Sequence, residues 1–162
     1  MMKRIKILSD SPQATRRLAA KLLTITGPDI VFALHGGLGT GKTCFVQGLA
    51  LALEIEDSVS SPTFTIIREH VGKTPLIHMD LYRLGSGPGL LSLDIEKYFE
   101  SPGVKAIEWA EYGESVIPSN AVRVFFKMTE EIEKRMITVE LPGEFSERIA
   151  KFEFLASLLS DR

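Results

Sequence analysis

Residues 30–43 read Ile30-Val31-Phe32-Ala33-Leu34-His35-Gly36-Gly37-Leu38-Gly39-Thr40-Gly41-Lys42-Thr43, an apolar run that feeds directly into a complete G-x-x-x-x-G-K-[ST] pattern. The run suits a buried strand. Beyond the pattern, Phe45, Leu49 and Leu53 recur at helical spacing. The order strand, glycine loop, helix is the context in which this pattern cradles phosphate. At average usage of its residue types the bare pattern arises by chance in roughly 0.5% of chains of this length, so with both flanks in place it marks a nucleoside-triphosphate site.

Each part of the loop has a physical task. Gly36, Gly39 and Gly41 let the backbone turn where a Cβ would clash, so that N–H groups from the glycines, Thr40 and the residues after them converge on phosphate oxygens. The helix that follows adds unsatisfied N–H groups and partial positive charge. Lys42 is placed to reach the β and γ phosphates, and the Thr43 hydroxyl to join a Mg²⁺ shell. Cys44, the only cysteine, offers its backbone N–H to the α-phosphate. Its thiol has no metal-ligand or triad spacing around it and reads as packing or a weak phosphate neighbour, not as a nucleophile.

Outward from the loop, residues 5–8 read as a short strand. Ser11-Pro12 gives an N-cap followed by proline in the first turn, and Ala14, Leu18, Leu22 and Ile25 form one apolar stripe that Gly27-Pro28 ends. Downstream, strands are expected at 64–67, 76–80 and 104–109, with a flexible loop at 85–89. A helix is expected from Leu90 to Phe99, with Leu91, Ile95 and Tyr98 or Phe99 turned inward. Residues 123–128 and 136–141 read as a hairpin, and 147–159 as a terminal helix with Phe152, Leu155, Ala156 and Leu159 on its apolar face. Alternating strands and helices predict an α/β fold, a P-loop NTPase-like mixed sheet flanked by helices with a late antiparallel hairpin.

Ligands of open α/β sheets sit at the carboxyl ends of the strands. Asp80 ends the run from Leu76, in the position of a Walker B aspartate, and Glu108 ends the run from Val104. Mg²⁺ held by a triphosphate needs a nearby carboxylate, and the attacking water needs orientation. On pattern alone either acid can take either role. Thr63 and Thr65, in Ser-Pro-Thr-Phe-Thr, offer hydroxyls of the kind that sense a γ-phosphate in switch segments. Trp109 reads as core, and His78, alternating within its strand, as a structural residue.

Composition sets bounds. A chain of 162 residues, 44% hydrophobic and 25% charged, is expected to form one domain over 1–162 with a sizeable core. Its net charge of −2 gives no basic footprint for direct DNA or RNA binding. One cysteine excludes an intramolecular disulfide framework, and no stretch approaches the length of a membrane span. The apolar segment after the basic start is too short for a signal peptide, so a cytoplasmic protein is expected.

Four stretches in order, Gly-Gly-Leu-Gly-Thr-Gly-Lys-Thr (36–43), Ser-Pro-Thr-Phe-Thr (61–65), His-Met-Asp-Leu-Tyr-Arg-Leu (78–84) and Ile-Glu-Trp-Ala-Glu (107–111), resemble the TsaE (YjeE) family of small bacterial P-loop ATPases. That family serves the placing of threonylcarbamoyl on the tRNA adenosine next to the anticodon. The resemblance runs from the capped first helix to the late hairpin. It implies ATP and Mg²⁺ as cofactors, Thr43 and Glu108 as metal contacts, and Asp80 near the γ-phosphate and attacking water. It also implies Thr63 and Thr65 as a switch segment, Trp109 beside the nucleotide, and approach to ATP by Ser11 and Arg135. The partners it implies are TsaB and TsaD, the latter carrying the transferase chemistry, with tRNA reached only through that complex. The chain departs from the family's usual residues at Gly37, at Cys44 and along 85–91, where an acidic Asp-Pro-Glu-Glu-Leu pattern is commoner.

Two other readings compete. A small-molecule P-loop kinase needs an arginine-bearing lid, and the loop 85–89 carries no arginine, with only Arg83 before it. A nucleotide-dependent interaction switch with negligible turnover would leave the pair Asp80 and Glu108 without a task.

Overall fold

The computed structural model describes residues 1–150. Its strands are β1 (Lys3–Ser9), β2 (Val31–His35), β3 (Ile67–His70), β4 (Leu76–Asp80), β5 (Val104–Glu108), β6 (Val122–Met128) and β7 (Arg135–Leu141), and its main helices α1 (Pro12–Thr26) and α2 (Lys42–Ala52). The strands form one seven-stranded mixed sheet in the order β1-β7-β6-β2-β5-β4-β3. At its centre β2 runs parallel to both β5 and β6, and β4 runs parallel to β5. Every residue of β2, β4 and β5 is buried, as in strands covered on both faces, although His78 and Lys105 interrupt the apolar runs of β4 and β5.

The late hairpin of β6 and β7 is antiparallel, as expected, but it is not the edge of the sheet. β1 pairs with β7 from Lys3↔Leu141 to Ser9↔Arg135 and closes that side. Exposed Lys3, Arg4 and Lys6 place charge along this outer strand, a common guard against edge-to-edge pairing.

Helix α1 starts where the sequence places it. The Ser11 hydroxyl accepts from the Ala14 N–H at 3.1 Å, and the Gly27 N–H, at φ 82°, donates to the Leu23 carbonyl at 2.8 Å to end the helix. Its stripe of Leu18 and Leu22 packs with Phe45 and Leu49 of α2 over Phe32, Leu34, Val104 and Val122. Full burial of Leu22, Phe45 and Leu49 stabilises the fold by roughly 1.5–3 kcal/mol each. The two helices cross closely at Gly48, where a Cβ would lie 2.5 Å from the Arg16 carbonyl oxygen. On the other face of the sheet, Val31, Ala33, Ile77, Met79 and Ile107 pack against Leu90, Ile95 and Ala121.

Three expectations change in the structure. The strand expected at 64–67 begins only at Ile67, because residues 63–65 form a turn and Ile66 is left-handed at φ 69°, its N–H bonded to the Pro62 carbonyl at 2.6 Å. The helix expected from Leu90 to Phe99 is split into α3 (Gly89–Ser92) and α4 (Glu96–Glu100) around Asp94, at φ 47°. That break rotates the apolar face, so that Leu90 and Ile95 are buried while Leu91 is 77% exposed. The strand expected through Trp109 ends at Glu108, since Trp109 itself turns left-handed at φ 54°. Of the terminal helix, only a first turn at 146–150 is described, and Phe152, Leu155, Ala156 and Leu159 lie outside the described residues.

Candidate nucleotide site

The carboxyl ends of β2, β4 and β5 meet at one end of the sheet, and the glycine loop lies between β2 and α2. Gly36 (φ 148°) and Gly41 (φ 110°) hold the loop's shape, and a Cβ on Gly36 would lie 2.8 Å from both the Phe126 carbonyl oxygen and Thr40 Oγ1. Thr40 Oγ1 in turn donates to the Gly37 carbonyl at 2.8 Å. Lys42, 5% exposed, curls back over the loop, its Nζ donating to the carbonyls of Gly36 at 2.6 Å and Gly37 at 2.7 Å. The same ammonium lies 4.2 Å from the centre of the Trp109 ring, a cation–π contact. Burial pulls the Lys42 pKa below the usual lysine value, and Glu108, Glu111 and Asp80 oppose that shift.

Two carboxylates face this lysine with different partners. Glu108 Oε1 accepts from Thr43 Oγ1 and from His78 Nε2, each at 2.8 Å. Asp80 Oδ2 accepts from Ser61 Oγ at 2.5 Å and Thr63 Oγ1 at 3.1 Å, while Oδ1 accepts the Tyr82 N–H at 2.9 Å. Glu108 is thus tied to the loop helix, and Asp80 to the 61–63 segment.

A cavity of about 450 Å³ opens over these groups. Its wall includes Gly39, Thr40, Gly41, Lys42, Thr43, Cys44, Thr63, Asp80, Glu108 and Trp109 from the sequence-derived set. Gly36 stands behind the loop, with its carbonyl on Lys42. The remaining expected residues lie off the wall. Ser11 caps α1 and donates to Asp10 at 3.0 Å. Arg135 grips the outside of the loop through Nη2 to the Gly39 carbonyl at 3.2 Å. Thr65 is exposed in the turn beside a neighbouring cavity of about 390 Å³.

Sequence reasoning gave no site role to three residues that the fold brings in. Ser61 makes the short bond to Asp80, Tyr82 lies 4.8 Å from Trp109 ring to ring, and His78 meets Glu108. The signal for Ser61 was its place directly before Pro62, although its partner lies 19 residues further on. Trp109, read as core from the strand pattern, lines the cavity because its left-handed backbone turns it out of the sheet. Cys44 Sγ donates to the Pro12 carbonyl at 3.3 Å, and burial raises the thiol's pKa, with Arg16 opposing.

The residues fit a magnesium-bound polyphosphate. The loop supplies backbone N–H groups, a buried ammonium and, at Gly36, a backbone position closed to a Cβ, and Thr43, Glu108 and Asp80 carry hard oxygen atoms of the kind Mg²⁺ takes. Among the described residues no cluster of three or more His, Cys, Asp or Glu forms a metal cage. Mg²⁺ shared with phosphate oxygens and water needs only one or two carboxylates.

A family model described as threonylcarbamoyl adenosine biosynthesis protein TsaE matches residues 9–137. The chain belongs to the TsaE family. The TsaE protein of Bacillus subtilis strain 168 is 36% identical over 160 residues, covering 98% of this chain and 96% of that relative. The TsaE protein of Treponema pallidum is 36% identical over 124 residues, covering 76% of this chain and 92% of the relative. The crystal structure of Bacillus subtilis YdiB superposes with a TM-score of 0.77 at 32% identity, covering 94% of this chain and 98% of that one. The range shared with the TsaE model holds the glycine loop, the 61–65 segment, both carboxylates and Arg135. Among the described residues no helix is long and apolar enough to cross a membrane.

Proposed function

We propose that this chain is a Mg²⁺-dependent ATPase that serves threonylcarbamoyl modification of tRNA in the cytoplasm, acting as a single domain over 1–162 with TsaB and TsaD. The observation that carries the reading is the pairing of Asp80 and Glu108, in register across the cavity from Lys42, with Thr43 already bonded to Glu108. N–H groups of residues 39–44 bind the phosphates. Lys42 exchanges its bonds to the Gly36 and Gly37 carbonyls for β- and γ-phosphate oxygens. Thr43 and Glu108 hold Mg²⁺, which supplies neutralisation of charge on the phosphates. Asp80, fixed by Ser61, Thr63 and the Tyr82 N–H, orients the attacking water and accepts its proton. Trp109 borders the nucleotide, and Arg135 steadies the loop from outside.

Because Thr63 and Ser61 hold Asp80 directly, γ-phosphate occupancy beside Asp80 is felt by the 61–65 segment, and a second surface can read it. A net charge of −2 gives the chain little hold on tRNA by itself, which supports contact through TsaB and TsaD. A kinase reading finds no support at the cavity, since Arg83 lies over the Phe64 ring at 5.6 Å and not on the cavity wall.

The test is the affinity of this chain for a TsaB–TsaD complex with ADP and with a non-hydrolysable ATP analogue, alongside phosphate release alone and in the mixture. Tighter docking with the ATP analogue and faster release in the mixture are expected, since a ligand shifts a partner equilibrium only by its differential affinity for two states. Equal affinities and equal rates would contradict the partner-coupled reading.

A further inference from the structure

His78 lies at the middle of β4, wholly buried, on the strand face it shares with Leu76 and Asp80. Its Nε2 is 2.8 Å from Glu108 Oε1, and its Nδ1 is buried with no hydrogen-bond partner among the described residues. An unbranched apolar side chain would fill this strand position without stranding a polar atom. The geometry therefore calls for a return from the one bond that the ring makes.

We infer that His78 is a positioning residue for metal binding: its Nε2–H holds Glu108 in the rotamer that presents the carboxylate to Mg²⁺. The inference rests on the reading of Glu108 as a metal contact. Both bonds to Glu108, from His78 and from Thr43, converge on Oε1. That leaves Oε2, which accepts no hydrogen bond among the described residues, as the open oxygen of a carboxylate on the cavity wall. When Thr43 turns its hydroxyl to the metal, the His78 bond is the one that remains to fix the carboxylate. With Nε2 protonated, Nδ1 is the unprotonated nitrogen, which is the cheaper atom to leave without a partner since it carries no donor. Outer contacts of this kind orient metal-binding carboxylates and their loss typically weakens metal affinity by about 10–100-fold.

The experiment is calorimetry of ADP binding with Mg²⁺ and in EDTA, for the unmodified chain, Glu108→Gln, His78→Leu, His78→Gln and His78→Asn. Mg²⁺-dependent enhancement is expected to fall about tenfold or more in His78→Leu, with metal-free affinity within about twofold. His78→Gln, whose amide nitrogen reaches the place of Nε2, should restore it, and His78→Asn, which does not reach, should not. Undiminished enhancement in a folded His78→Leu overturns the inference. If His78→Leu does not fold, the Gln and Asn pair decides: equal enhancement in the two overturns it, and loss in Asn alone supports it. Undiminished enhancement in Glu108→Gln instead removes the metal role of Glu108, and the inference about His78 falls with it.

Discussion

Asp80 and Glu108 are register partners at the ends of adjacent parallel strands, both buried, and each is held by a different part of the molecule. Thr43 and His78 hold Glu108, whereas Ser61, Thr63 and the Tyr82 N–H hold Asp80. The division separates a carboxylate that answers to the phosphate loop from one that answers to the 61–63 segment.

That division separates the effects of two substitutions. Asp80→Asn keeps size and removes the charge that takes a proton, so MgATP affinity should change little while hydrolysis falls by about a hundredfold or more. Glu108→Gln should raise the Mg²⁺ concentration needed for half-maximal activity. Normal hydrolysis in Asp80→Asn with slow turnover confined to Glu108→Gln would reverse the two roles.

Ser61 and Thr65 offer a sharper contrast, since both hydroxyls belong to one short segment but only Ser61 reaches Asp80. A hydrogen bond to a charged group contributes about 1.5–3 kcal/mol, so Ser61→Ala should slow turnover about tenfold or more. Thr65→Ala should stay within about twofold when the isolated chain is assayed. Similar losses in both would mean that the Asp80 contact is not what matters.

How far the sequence carries depends on whether a signal is local. The glycine loop, the Ser11 cap, the buried runs of β2, β4 and β5, and the strand-end placing of Asp80 and Glu108 all follow from neighbouring residues. The late strand at 64–67, the split helix and the early end of β5 each turn on one residue forced left-handed, Ile66, Asp94 or Trp109, for which no glycine gives warning. β1 as the outer edge and the contacts of Ser61 and His78 depend on which strands become neighbours, and period-2 patterning does not specify that.

Gly48 lies in the interior of α2, where glycine is intrinsically unfavourable, yet the crossing with α1 leaves no room for a Cβ. Gly48→Ala should lower stability by about 1–3 kcal/mol through overpacking against Arg16 and Ala19, despite its better helix propensity. Urea denaturation measures this directly. A stabilised variant would show that the two helices can separate freely.

Burial lowers the pKa of His35, with Glu114 and Glu111 opposing, and burial likewise lowers that of His70, with Asp57 opposing. Between the folded and unfolded values the unfolded chain binds more protons, so stability rises with pH in that window. It should be fully present above about pH 7 and decline as pH falls through about 6.5. Each histidine contributes at most about 1.4 kcal/mol per pH unit. Replacing His35, which stacks on Phe125 at 4.5 Å, with phenylalanine should flatten the slope, and an unchanged slope in His35→Phe would exclude its part in it.

Lys42 and the loop around it are the centre of the proposed nucleotide site. Calorimetry of MgATP binding to the unmodified chain and to Lys42→Ala tests it, because the substitution removes the charge-assisted contact to the β and γ phosphates and leaves the loop backbone in place. Loss of that contact, roughly 1.5–3 kcal/mol, predicts an affinity about ten- to a hundredfold weaker. Unchanged MgATP affinity in Lys42→Ala would contradict the assignment of this loop as the nucleotide site.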